Sequence, residues 1–165
     1  MRIAYLVSEY PAVSHTFIRR EVSFLRSNGI EVDTYSIRRP KDIDSLGDED
    51  KNEFTTTWYT LPVSLTKLIT IHLLSLCKSP VKYFKLLNLA MRHRTAGLRS
   101  LLWSFFYFTE ALLLAKIFKE RGISHIHNHF SNSAATVGYL VSNYMGISWS
   151  FTLHGSADFE SETRV

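Results

Sequence analysis

Three histidines alternate in the segment His125-Ile126-His127-Asn128-His129. On an extended strand alternate side chains share one face, and imidazole is a common zinc ligand, so a metal site is the first chemistry to weigh. No carboxylate or cysteine lies close by in sequence to complete a ligand set, and a strand inside a sheet buries its early residues. The trio is therefore expected to hold no metal. His129, at the end of the run, reads as reaching a cleft or as structural, His127 as a satisfied core or loop-anchoring residue, and His125 as a surface or edge residue. A fourth histidine, His154, is followed by Gly155 directly after a strand-like run, Trp149 to Leu153. Its ring there either hydrogen-bonds a ligand or packs against a neighbouring helix. Gly155 either admits a ligand close to the backbone or simply turns the chain. Ser14, His15 and Thr16 stand where a helix begins, and the free N–H groups and dipole of such a terminus favour an anion. Ser14 or Thr16 equally suits plain N-capping.

These residues need elements to position them. Ile3 to Val7 is a short apolar run without polar alternation, the pattern of a parallel strand covered on both faces. Ile18, Val22 and Leu25 fall at helical spacing, and Asn28-Gly29 closes that helix. Val32 to Ile37 alternates partly and reads as a strand nearer an edge. Arg38 to Glu53 is polar and aperiodic, a loop, and Thr55 to Leu61 is β-branched and aromatic, a third strand ended by Pro62. Ser64 to Leu76, Pro80 to Arg92 and Ser100 to Glu120 read as helices, with Pro80 at a first turn and Gly122 after the last. Ser124 to His127 is a fourth strand, Ser133 to Met145 a helix closed by Gly146, and Trp149 to Leu153 a fifth strand. Strands alternating with helices predict an α/β fold with a doubly wound parallel sheet, because parallel neighbours need crossovers. Ligands in such sheets bind beyond the carboxyl ends of the strands, where strand order reverses. If the first and fourth strands are neighbours, Ser8 to Ser14, His127 to Ser131 and His154-Gly155 line one crevice.

Composition bounds the function. The chain has 165 residues, 45% hydrophobic and 21% charged, enough for one domain (1–165) with a real core and unlike a disordered chain. The net charge of +4 is too mild for a nucleic-acid binder, so no nucleic-acid partner is expected. Basic residues cluster between Lys67 and Arg121 among Trp103, Phe105, Phe106 and Tyr107. That pattern reads as a surface for an anionic membrane or as a solvated face over an ordinary core. Cys77 is the single cysteine, which fits a reducing cytoplasm. The most apolar stretch, Leu101 to Phe118, is interrupted by Glu110 and Lys116 and reads as buried or lying on a membrane, not crossing it. The first strand is followed by Ser8-Glu9-Tyr10-Pro11 with no glycine fingerprint, which disfavours a dinucleotide-dependent enzyme. No cofactor is expected.

Three segments carry a family likeness. Tyr10-Pro11-Ala12-Val13-Ser14-His15-Thr16-Phe17-Ile18-Arg19-Arg20-Glu21, His125-Ile126-His127-Asn128-His129-Phe130 and Phe151-Thr152-Leu153-His154-Gly155 resemble, in order, signatures of glycosyltransferase family 4 enzymes of the exopolysaccharide and colanic-acid type. The likeness runs from Arg2 to about Phe159. It implies a GT-B architecture of two facing Rossmann-like domains, of which this chain is the N-terminal, acceptor-side one. The implied reaction is retaining transfer from a nucleotide-sugar to a saccharide or lipid-linked acceptor, needing no metal, in polysaccharide biosynthesis at the cytoplasmic face of the membrane. By this resemblance His154 is catalytic and faces the donor sugar, while Ser14, His15, Thr16, His129 and Gly155 bind substrate. Many relatives have Glu at the position of His15. The donor-binding half is expected to lie outside the chain, whose tail, Glu160 to Val165, departs from the family pattern. The competing reading is a non-enzymatic module that binds a membrane or a separate donor-binding subunit.

Overall fold

In the computed structural model, which describes residues 1–155, Ile3 to Val7 are all buried because β1 (Arg2–Glu9) is the central strand of a five-stranded sheet. The order is β3-β2-β1-β4-β5, with β2 at Glu31–Arg38, β3 at Trp58–Tyr59, β4 at His125–His129 and β5 at Ser148–Thr152. Every pairing is parallel. β1 and β4 are neighbours, with Leu6 opposite Asn128, and strand order runs outward from this pair, to β2 and β3 on one side and β5 on the other. Six helices accompany the sheet among the described residues, α1 (Thr16–Ser27), α2 (Asp48–Thr56), α3 (Leu65–Lys78), α4 (Pro80–Arg92), α5 (Leu98–Arg121) and α6 (Ser133–Met145). The molecule is thus an α/β protein with an all-parallel sheet, compatible with a Rossmann-like fold. The tail Glu160 to Val165, read from the sequence as departing from the family pattern, lies outside the described residues.

Alternation along β1 divides the core. Ala4 and Leu6 join Phe108, Leu112, Val137 and Leu140 from α5 and α6, whereas Ile3, Tyr5 and Val7 pack with Ile18 and Val22 of α1. On β4 the same alternation puts Ile126 in the larger cluster and the histidines on the α1 side, where Tyr5 contacts the rings of His127 and His129.

Asn128 pins this arrangement. It is fully buried; its amide donates to Leu6 O at 2.6 Å and Ala134 O at 3.0 Å, and its Oδ1 accepts from Trp149 Nε1 at 2.8 Å. Four elements are tied by one satisfied side chain, as burial of an amide requires. Gly138 makes the close approach possible, since a Cβ there would overlap Asn128 Oδ1 and stand 3.1 Å from Trp149 Nε1.

Three expectations need correction. The polar stretch read as a loop to Glu53 contains α2, a helix with little amphipathicity. Asp48, Glu49 and Asp50 occupy its first turn, where carboxylates suit the helix dipole. Arg19 of α1 pairs with Asp50 at 2.8 Å and with Glu49, and Arg26 pairs with Glu53. The third strand shrinks to Trp58–Tyr59, because α2 takes Thr55 and Thr56. Neither Ser14 nor Thr16 caps α1. The cap position is His15, without a side-chain cap bond, and Val13–His15 forms a single 3-10 turn ahead of it.

Candidate functional site

The carboxyl ends of β1, β4 and β5 converge, and the residues just past them meet in a cluster of rings. β4 ends on His129, which is fully buried. The next residue, Phe130, adopts φ 68°, a left-handed conformation costing a bulky residue about 1–2 kcal/mol. The turn is held by Phe130 N–H donating to Thr152 O at 3.0 Å, and it places the Phe130 ring against His15 (5.3 Å between centroids), Phe17 and His154. Strain of this kind persists where the surroundings over-determine it, which is common at functional sites.

His154 follows β5 and is exposed. Its ring lies on Phe17 at 4.4 Å, on Phe130 at 4.9 Å and on His129 at 5.0 Å, so it packs and faces solvent at once. His129 Nδ1 and His154 Nε2 are 2.8 Å apart, one ring donating to the other. His129 is therefore not itself at the crevice surface. It lies beneath His154 and holds it. Burial pushes the His129 imidazolium pKa down to about 3, helped by the neighbouring His127, His154 and His15. Burial also lowers that of His15, which is half-buried. Both rings are neutral at pH 7.

The other sequence candidates divide. Ser14 and Thr16 are exposed at the start of α1, and Gly155 is exposed beside His154. His125, His127 and His129 share one face, as alternation predicts. Both His125 nitrogens are occupied, Nδ1 by Ser148 Oγ at 2.7 Å and Nε2 by Ser150 Oγ at 2.8 Å. His127 Nδ1 meets the same Ser150 Oγ at 2.8 Å. No carboxylate lies near the trio in sequence, but the fold brings one to it from α1. Glu21, one turn into α1, reaches 3.6 Å from His129 Nε2, and its other oxygen accepts from Tyr5 OH at 2.6 Å. Sequence separation hid this residue; the only signal was its place on the helix that follows β1.

A second opening lies at the carboxyl ends of β2 and β3. A cavity of about 1030 Å³ runs between α3 and α5, walled mainly by apolar residues including Ile37, Leu68, Phe105 and Leu113, with Arg38 and Arg39 also lining it. Glu110 is in the wall. Its Oε2 is buried without a partner, and burial raises its pKa to about 7 against the pull of Arg38. Leu65, Ile69, Leu73, Trp103, Phe105 and Phe106, which line the cavity, are exposed. Among the described residues α5 is the one helix long and apolar enough to cross a membrane, yet 56% of its apolar window is buried inside the protein. Its second half is core.

No family model, curated protein or solved structure matches this chain.

Proposed function

We propose that the chain is the N-terminal, acceptor-side half of a retaining glycosyltransferase, a doubly wound Rossmann-like domain of GT-B type acting in polysaccharide biosynthesis. The observation that carries this reading is the exposed His154, seated on Phe17 and Phe130 and hydrogen-bonded to buried His129 at the carboxyl end of the sheet. A polar group fixed in this way offers a hydrogen bond to a sugar hydroxyl without reorganising, and preorganised donors stabilise a transition state more than mobile ones. The neutral rings and the flat Phe17 and Phe130 faces suit an uncharged sugar. The exposed N-terminus of α1, with Ser14, His15 and Thr16, lies beside them and suits a phosphate of the donor or acceptor. The nucleotide-sugar itself is bound mainly by a second, donor-binding half. The apolar cavity and its arginines favour a lipid-linked acceptor over a free saccharide, since an aliphatic chain fits the walls and a phosphate fits Arg38 and Arg39. The site of action is then the cytoplasmic membrane face.

The test is reconstitution. The chain alone transfers no sugar; joined to a donor-binding half, it transfers sugar from a nucleotide-sugar to a lipid-linked acceptor. Turnover by the chain alone defeats the reading. A second reading, a non-catalytic module that docks on a membrane or a separate donor-binding subunit, is favoured by the exposed apolar residues of α3 to α5. It predicts membrane or subunit binding with no transfer in any combination.

A further inference from the structure

We propose that Glu21, His127 and His129 form a binding site for a single zinc-type divalent ion. One ligand atom from each lies within 4.8 Å of the others, and the three come from two rigid elements, α1 and β4, and not from loops. His129 Nε2 is the informative atom. It is buried with no hydrogen-bond partner, although buried polar atoms are nearly always satisfied. Glu21 Oε2 stands 3.6 Å from it, too far for a hydrogen bond. Two ligands on a tetrahedral zinc ion, each about 2.0–2.1 Å from the metal, sit about 3.3 Å from one another. The gap is the width a metal ion fills.

The outer contacts match the same purpose. Ligating histidines in metal sites have their second nitrogen held, and ligating carboxylates are themselves hydrogen-bonded. Here His127 Nδ1 is held by Ser150 Oγ at 2.8 Å, His129 Nδ1 by His154 Nε2 at 2.8 Å, and Glu21 Oε1 by Tyr5 OH at 2.6 Å. Each ligand therefore has one atom fixed, and the remaining atoms of His129 and Glu21 face one another at 3.6 Å. His127 Nε2 has only a long contact there, 3.4 Å to Thr152 Oγ1. His125 is not a ligand, because Ser148 and Ser150 take both its nitrogens. Two imidazoles and one carboxylate select zinc or a similar transition metal over magnesium, which prefers oxygen alone. The Glu21 side chain is 43% exposed, so an ion has a way in and a fourth position is open to water or a ligand. This inference goes beyond the sugar-transfer reading and opposes the expectation, drawn from the sequence, of a metal-free trio.

The experiment titrates chelator-stripped full-length chain with Zn²⁺ against a chromophoric chelator, and with Co²⁺ followed by its visible absorption. The expected result is one ion per chain, no competition from Mg²⁺, and a cobalt spectrum of four-coordinate type. Glu21→Gln, which keeps the Tyr5 contact and sits at the surface, weakens binding at least about tenfold, and His127→Gln does the same. His125→Ala leaves the affinity unchanged. Absence of stoichiometric binding overturns the proposal. So does an affinity that Glu21→Gln leaves unaltered, or one that His125→Ala lowers as much as His127→Gln. None of these readouts involves sugar transfer, so they stand whatever becomes of that reading.

Discussion

The two openings at the carboxyl end of the sheet are built on opposite principles. In the histidine crevice His15, His129 and His154 form a ring cluster with Phe17 and Phe130, and the buried imidazole is kept neutral by its surroundings. In the groove between α3 and α5 the walls are mainly apolar, and Glu110 turns a buried Oε2 with no partner into them. Burial displaces both titrating groups toward neutrality, which lowers the pKa of the base and raises that of the acid. On the function proposed above, the contrast separates a surface that offers directional hydrogen bonds to a sugar from one that accepts an aliphatic chain.

The widest gap between the two should appear in catalysis. In a reconstituted enzyme, His154→Ala should cut turnover by about 10²–10³-fold, the scale of losing one placed donor, while thermal unfolding of the exposed-site variant shifts little. An active variant, or one that does not fold, makes His154 structural and dissolves the distinction.

Next comes the response to pH, where the openings should differ in sign. His129 has a folded pKa near 3 against about 6.5 unfolded. Its contribution to stability is complete above the unfolded value and falls as pH drops from there toward 3, on the order of a few kcal/mol in all. Denaturant titrations in chelator from pH 7 to 4 should show this loss, and a His129→Asn variant that folds should show less of it. For Glu110 the folded pKa is near 7, above the unfolded value of about 4.3. The folded state holds the proton more tightly, so stability falls as pH rises between the two values and stays low above 7. Glu110→Gln should therefore match the parent near pH 4 and exceed it at pH 8 by roughly 3 kcal/mol at most. A variant equally stable at both pH values, relative to the parent, would mean that the carboxyl is solvated.

The smallest effect concerns the outside of the groove. Lys78 at the end of α3 and Lys82 and Lys85 on α4 are exposed, as are Leu73, Val81 and Phe84 on the same helices, and each basic residue near an anionic bilayer contributes about 1 kcal/mol. Sedimentation with anionic vesicles should show binding that weakens as salt rises and drops when the three become Glu. Equal binding to neutral vesicles would reduce this surface to general stickiness.

Legibility in the sequence followed the range of the forces involved. α4 and α6 begin and end where they were read, at Pro80–Arg92 and Ser133–Met145, because Pro80 at a first turn and left-handed Gly146 are local signals. The common face of the three histidines followed from strand periodicity, whereas the β1–β4 adjacency stood in the sequence only as a condition, one that the sheet order meets. α2 was illegible because ion pairs to Arg19 and Arg26 hold it, and no local pattern announces those. Glu21 was hidden for the same reason, and so was the groove, whose walls come from β2, α3, α5, the start of α6 and the loop after β3. His129 was placed correctly at the strand end. Its depth beneath His154 depends on Phe17 and Phe130, which only the folded chain brings together.

β4 has a consequence for how this protein can change. Its odd-numbered positions, His125, His127 and His129, face α1 and the crevice, while Ile126 and Asn128 face the main core. Two messages are thus interleaved in five letters, and they are subject to different editors. Drift at the odd positions alters the crevice side of the sheet, including the contacts of His125 and His127 with Ser148 and Ser150 of β5, while the packing of α6 against the main core continues undisturbed. Drift at Asn128 or at its counterpart Gly138 disturbs the packing and leaves the crevice residues nominally intact. Because His129 is fully buried, a library limited to neutral residues at 125, 127 and 129 should retain more folded members than one that varies Asn128 and Gly138, whereas insertion of a single residue before His125 would exchange the two messages and lose both.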